Sequence, residues 1–208
     1  IIFYDDRETL TVLWSGKEGA WSEKTTWRIT GGIPGLRSLM IRDLNMDDLP
    51  DIALLGESRV SIFYNKGGRQ FDQPRNIQIP SGVTSFEPVD VNQDHQLDLV
   101  FHVPNRKNGL YVSLRNATSF GNFIQVPSMP FAKVFWQHDT HHGKVQMFAI
   151  SDHLDQVLAY ELETQPNANP TKKTDSGALQ MIRFPEFSGV KRGVCWADMN
   201  GDGRDDCL

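Results

Sequence analysis

The sequence Asp198-Met-Asn-Gly-Asp-Gly-Arg-Asp-Asp206 carries oxygen-bearing side chains at its positions 1, 3, 5 and 9: Asp198, Asn200, Asp202 and Asp206. Alternate residues of a tightly curled loop can all point inward, and Gly203 at position 6 allows the sharp backbone turn. A hard cation such as calcium needs six to eight oxygens at about 2.3–2.6 Å, which is the chemistry such a loop offers. The spacing recurs twice upstream. Asp43-Leu-Asn-Met-Asp-Asp-Leu-Pro-Asp51 supplies Asp43, Asn45, Asp47 and Asp51, and Asp90-Val-Asn-Gln-Asp-His-Gln-Leu-Asp98 supplies Asp90, Asn92, Asp94 and Asp98. One match would be a weak signal; three in a chain of 208 residues is a strong one.

The flanks decide which module this is. A helix–loop–helix calcium site places a bidentate Glu at position 12. Here that position is Leu54 in the first loop, Phe101 in the second, and beyond the last residue in the third. The loops run instead into the short apolar runs Ile52-Ala-Leu-Leu55, Leu99-Val-Phe101 and Cys207-Leu208. They follow Leu39-Met-Ile41, Phe86-Glu-Pro-Val89 and Val194-Cys-Trp196. Apolar run, acidic loop, apolar run predicts two strands joined by a metal-binding turn.

Asp43 and Asp90 are 47 residues apart. A similar step lands on Asp139-Thr-His-His-Gly143, between Val134-Phe-Trp136 and Val145–Ile150. This is the same frame with most ligands lost, since Gly143 and Met147 stand where acids should be, and no metal is expected there. The polar stretch Thr164–Ala178 reads as a surface loop inserted before the last acidic loop. Between the acidic loops lie three further turns: Trp14–Trp21, Tyr64–Phe71 and Leu114–Phe120. Each is a strand end, a Gly- or Asn-rich turn and an aromatic opening the next strand. Two hairpins per repeat make four strands, and an all-strand period of 40–50 residues indicates propeller blades.

The alternation of Asp-x-Asn-x-Asp-x-x-x-Asp loops with Asn/Gly…Phe hairpins resembles the FG-GAP (integrin-α-like, VCBS-type) β-propeller repeat, over essentially the whole of residues 1–208. The resemblance implies an all-β propeller, or propeller segment, of about four four-stranded blades. It also implies three structural calcium sites, with the carbonyls of Leu49, Gln96 and Arg204 at position 7 joining the side chains named above. Asp48 and His95 depart from the glycine usual at position 6, which bears on the turn geometry of the first two loops.

Composition sets further bounds. The apolar fraction is 39%, in short runs sufficient for a core, and the formal charge of −5 comes largely from the loops, which hold nine candidate ligand aspartates. Three divalent ions would more than offset that charge, so the acidity points to metal sites rather than to a basic partner. No Lys/Arg cluster argues for nucleic acid, and no apolar run approaches the 18–20 residues of a membrane span. The opening Ile1–Tyr4 reads as a strand that follows an acidic loop, and the last loop ends just before Cys207. Three repeats are whole and a fourth is split between the ends. The expectation is a segment of a larger chain; the alternative is that the terminal pieces pair to close a four-bladed ring.

Several constellations have bland explanations. His138, Asp139, His141 and His142, with His153 nearby, could offer zinc ligands, but they sit where a degenerate calcium loop belongs and read as solvated turn residues. Cys195 and Cys207 flank the last loop, as a disulfide or as two free thiols. Asn116-Ala-Thr118 matches a glycosylation acceptor and equally a hairpin turn. Trp14, Trp21, Trp27, Trp136 and Trp196 are expected in the core. No nucleophile elbow, phosphate loop or Cys/His dyad appears, so no catalytic residue is assigned. The functional expectation is a non-catalytic extracellular, cell-surface or periplasmic adhesion or recognition module. It would bind a protein or glycan through loops on one face, with Thr164–Ala178 and Asn105–Gly109 as candidate contacts. The alternatives are the propeller part of a secreted polysaccharide lyase or hydrolase, and a carbohydrate-binding lectin.

Overall fold

The computed structural model describes all residues except 6–7, 16–20, 22, 93, 117–118, 127, 129, 140–143, 152–155, 163–178, 184–195, 198–205 and 208. Among the described residues every regular element is a strand, all pairings are antiparallel, and no helix is long and apolar enough to cross a membrane. The chain forms two compact units, Ile1–Ser81 and Gly82–Leu208.

In the first unit, β1 (Ile2–Tyr4), β2 (Thr9–Trp14) and β3 (Glu23–Arg28) form a meander in the order β1-β2-β3. A four-stranded sheet follows: β4 (Ser38–Arg42), β5 (Asp51–Leu55), β6 (Arg59–Phe63) and, after the small hairpin of β7 (Asn65–Gly67) and β8 (Gln70–Phe71), β9 (Arg75–Gln78). The apolar run of β5 is buried along its whole length. Only a strand covered on both faces can bury consecutive side chains. Leu10 and Val12 of β2 pack with Ile52, Leu54 and Phe63 of the next sheet, so the two sheets share one core. Each such aliphatic side chain removed from water contributes about 1.5–3 kcal/mol.

The second unit repeats the plan twice. The strands β10 (Ser85–Val89), β11 (Asp98–His102), β12 (Leu110–Arg115) and β13 (Phe120–Val126) form one meander. A second consists of β14 (Lys133–Asp139), β15 (Lys144–Ser151), β16 (Gln156–Leu162) and β17 (Leu179–Arg183). A last antiparallel pair is formed by β18 (Trp196–Ala197) and β19 (Asp206–Cys207). Val100, Leu110 and Val112 pack against Met147 and Ala149 through Phe131. The period of two puts Leu99 and Phe101 on the other face of β11, where Phe101 stacks with Phe86 and meets Phe123 edge-on.

Two expectations need correction. Phe71 does not open the fourth strand of its sheet. Gly67, Gly68 and Arg69 all take positive φ, so the turn closes on itself as the β7–β8 hairpin. Pro74, with no N–H, precedes β9, where pairing with β6 begins at Arg75. Trp21 is not in the core either: it lies outside the β2–β3 ladder and is 53% exposed. Trp14, Trp27 and Trp136 do pack, half-buried, against the cores.

Candidate metal loops

The first acidic loop joins the antiparallel partners β4 and β5, whose register ends at Arg42 opposite Asp51. The loop is shaped by its own acids. The amides of Asp47 and Asp48 donate to the two carboxylate oxygens of Asp43 at 3.2 and 2.8 Å, and that of Met46 donates to Asp43 Oδ1 at 2.6 Å. Asp47 N also donates to Asn45 Oδ1, and Leu49 N to Asp47 Oδ1. Carboxylates that accept several backbone N–H groups hold successive residues of a loop in a fixed curl.

The second loop, between β10 and β11, repeats four of these bonds among its described residues. Asp94 N and His95 N donate to the two oxygens of Asp90 at 3.1 and 2.9 Å. Asp94 N further donates to Asn92 Oδ1 and Gln96 N to Asp94 Oδ1. In both loops the Asn side-chain amide donates to the position-5 Asp. The absence of glycine at position 6 does not prevent the turn, since Asp48 and His95 both adopt φ of 65°.

The position-9 acids differ from the other acids of their loops in burial. Asp51 and Asp98 are fully buried at the first residues of β5 and β11. Asp51 Oδ2 accepts from Leu44 N at 2.9 Å and Oδ1 from Asn65 N at 2.8 Å. Asp98 Oδ2 accepts from Val91 N at 3.0 Å and Oδ1 from Arg115 N at 2.7 Å. Burial pushes both carboxyls up, that of Asp98 to about 6, against the opposing pull of those amides; the loop acids four and eight residues upstream push in the same direction as burial.

Asp43, Asn45 and Asp47 are thus brought together by the loop, as are Asp90, Asn92 and Asp94, while the position-9 carboxylate stands at the strand side of each. Among the described residues no three His, Cys, Asp or Glu side chains form a group that could hold a metal. The third loop is framed by Ala197 opposite Asp206 and Trp196 opposite Cys207. Asp198, Asn200, Asp202 and Arg204, with Cys195, lie outside the described residues, as do His141, His142, His153 and Thr164–Ala178. Asp139 ends β14 opposite Lys144, the strand–turn–strand frame expected of the degenerate repeat. The Asn105–Gly109 turn is tied down by Asn105 N to Phe131 O and Asn108 N to Ser128 O. The bonds from Asp51 to Asn65 and from Asp98 to Arg115 were not legible in sequence, because they span unequal separations of 14 and 17 residues.

Two loops with a shared hydrogen-bond pattern, each between the first two strands of a four-stranded sheet, are a repeat in structure as well as in sequence. Residues 43–101 match the family model of the FG-GAP-like repeat. The match starts at position 1 of the first acidic loop and ends within β11, so this FG-GAP-like stretch contains both described loops. No curated protein matches the chain.

Proposed function

We propose that residues 1–208 are one array of propeller repeats, a calcium-stabilised segment that serves as a non-catalytic recognition scaffold outside the cell. Each four-stranded sheet is read as one blade, and β1–β3 and β18–β19 as parts of blades. The observation that carries the reading is the pair of buried carboxylates, Asp51 and Asp98. No basic side chain among the described residues pairs with either, and each belongs to a loop holding two further candidate ligand acids, Asp43 and Asp47 or Asp90 and Asp94.

The donor chemistry fits calcium, because every candidate is a hard oxygen. Asp43, Asn45, Asp47 and Asp51 with the carbonyl of Leu49 would hold one ion. Asp90, Asn92, Asp94 and Asp98 with that of Gln96 would hold a second, and Asp198, Asn200, Asp202 and Asp206 with that of Arg204 a third. When bound, calcium would supply positive charge to offset the three candidate ligand carboxylates of each loop. The chain's own part is to present the oxygens. The Asp43 and Asp90 hydrogen bonds fix the curl, and Asp51 and Asp98 anchor it to the buried strand. Sites of this open kind fill at millimolar calcium, which supports an extracellular setting. Rigid sheets with loops at their ends suit a protein or glycan partner held by loops on one face.

Equilibrium dialysis of the full chain tests the reading, with about three calcium ions bound per chain as the expected result. At a hundredfold excess over Kd each site contributes about 2.7 kcal/mol, so chelation should lower the Tm by about 5–10 °C per site. No bound calcium, together with an unchanged melting curve in EDTA, refutes it.

A further inference from the structure

Asp51 and Asp98 do more than complete a ligand set. Each carboxylate spans two parts of the chain: one oxygen takes the amide of loop position 2, Leu44 or Val91, and the other takes the amide of Asn65 or Arg115, where the next hairpin turn begins. On the far side the links continue. Asn65 Nδ2 donates to Pro50 O at 3.0 Å, and Gly67 N to Asn65 Oδ1 at 2.9 Å, so one residue ties the end of the acidic loop to the β7–β8 hairpin. Beyond Arg115, Asn116 and Ser119 exchange two hydrogen bonds across the β12–β13 turn. Among the described residues the arrangement occurs in both compact units, so it is a repeated device and not one loop's accident.

We infer that Asp51 and Asp98 are positioning residues that couple each ion loop to the hairpin turn after it, so that filling the loop stiffens the turn. The inference rests on the calcium reading. A carboxylate oxygen has two acceptor positions, and each oxygen here gives one to an amide. An ion drawing on the other position fixes the carboxylate, and the fixed carboxylate fixes both amides. Opening of the turn then requires breaking a charge-assisted bond to an acceptor that can no longer move with the turn.

The test is amide hydrogen exchange on the full chain in EDTA and in millimolar calcium chloride. Calcium should slow the loop amides of Asp47, Asp48, Asp94 and His95, and the turn amides of Asn65 and Arg115 should slow with them, about tenfold or more. Loop protection without turn protection overturns the coupling and leaves the ion sites standing. No response at either place overturns the calcium reading itself. Asp51→Asn should abolish the response at Asn65 while Arg115, in the other unit, still responds and certifies that the protein is folded. Asp47→Asn weakens the ion loop without touching the Asn65 bond, so the Asn65 response should move to higher calcium at undiminished amplitude. An Asn65 response surviving in Asp51→Asn refutes the role assigned to the carboxylate.

Discussion

Replacing the residue at loop position 6 by glycine should stabilise the protein, at Asp48 and at His95 alike. Both take φ of 65° and both side chains are exposed. An L-residue in the left-handed region costs about 1–2 kcal/mol, and polar residues such as Asp pay toward the lower end. Glycine removes that strain but adds about 0.5–1 kcal/mol of unfolded-state entropy. The balance is a gain of up to about 0.5 kcal/mol per site, or up to about 2 °C in Tm for a chain of this size. Asp48→Gly also deletes one charge from a loop with three other acids, so it must be compared with Asp48→Ala, which deletes the same charge and keeps the Cβ. His95 carries no negative charge, and the pair His95→Gly and His95→Ala isolates the backbone effect again. The two positions lie in separate units and their effects should add. Urea denaturation in EDTA measures all four. If the glycine variants are no more stable than the alanine variants at both sites, the left-handed turn does not carry the strain assigned to it, and the reasoning fails.

Two further predictions concern the second unit. In calcium-free buffer the folded state binds a proton at Asp98 more tightly than the unfolded state does, with a pKa of about 6 against 3.8. Its contribution to stability is full below the unfolded value and is lost as pH rises through about 6; at neutral pH the loss amounts to about 3 kcal/mol. His102 acts in the opposite sense: burial lowers its pKa, so its contribution is lost as pH falls through the ordinary imidazole range. The difference between wild type and Asp98→Asn removes the His102 effect, and it should grow in favour of wild type by about 2 kcal/mol between pH 7.5 and 4. A flat difference would mean that Asp98 is not desolvated. Gly109→Ala should destabilise by about 2 kcal/mol or more, because a Cβ there would overlap the carbonyl oxygens of Val103 and Arg106 inside a turn anchored to residues 128 and 131. A thermal melt unchanged from wild type would contradict that close approach.

The strands beside each loop were legible because consecutive apolar residues next to a run of Asp and Asn leave little choice of period. Ile52–Leu55 and Leu99–Phe101 became buried strands, and Phe120 began the strand expected of it. The Tyr64–Phe71 turn was misjudged because Gly67-Gly68-Arg69 can close a hairpin of its own, and nothing local says whether Phe71 pairs within that hairpin or in the larger sheet. Trp21 was placed in the core as an aromatic at a repeat-equivalent strand position, while exposure depends on where the ladder begins, which is a matter of register.

The position-9 acids mark the deeper boundary of sequence reading. Spacing identifies Asp51 and Asp98 with their loops, but spacing is blind to the fact that the residue after a turn is also the first residue of a strand buried on both faces. A carboxylate at that position must leave water, and a desolvated charge with only amide donors is costly unless it is neutralised. Protonation is one neutralisation, and the rise of Asp98 to about 6 shows the fold already leaning toward it. A divalent ion shared with Asp90 and Asp94 is the other, and it competes for the same carboxylate. If the proposed ion binds, its affinity at the second loop should therefore fall as pH drops through about 6. The first loop should follow in the same direction, since Asp51 is raised for the same reason. Calorimetric titration with calcium at pH 7.5 and 5 distinguishes the cases: affinity independent of pH would mean that the buried aspartates take no part in holding the ion.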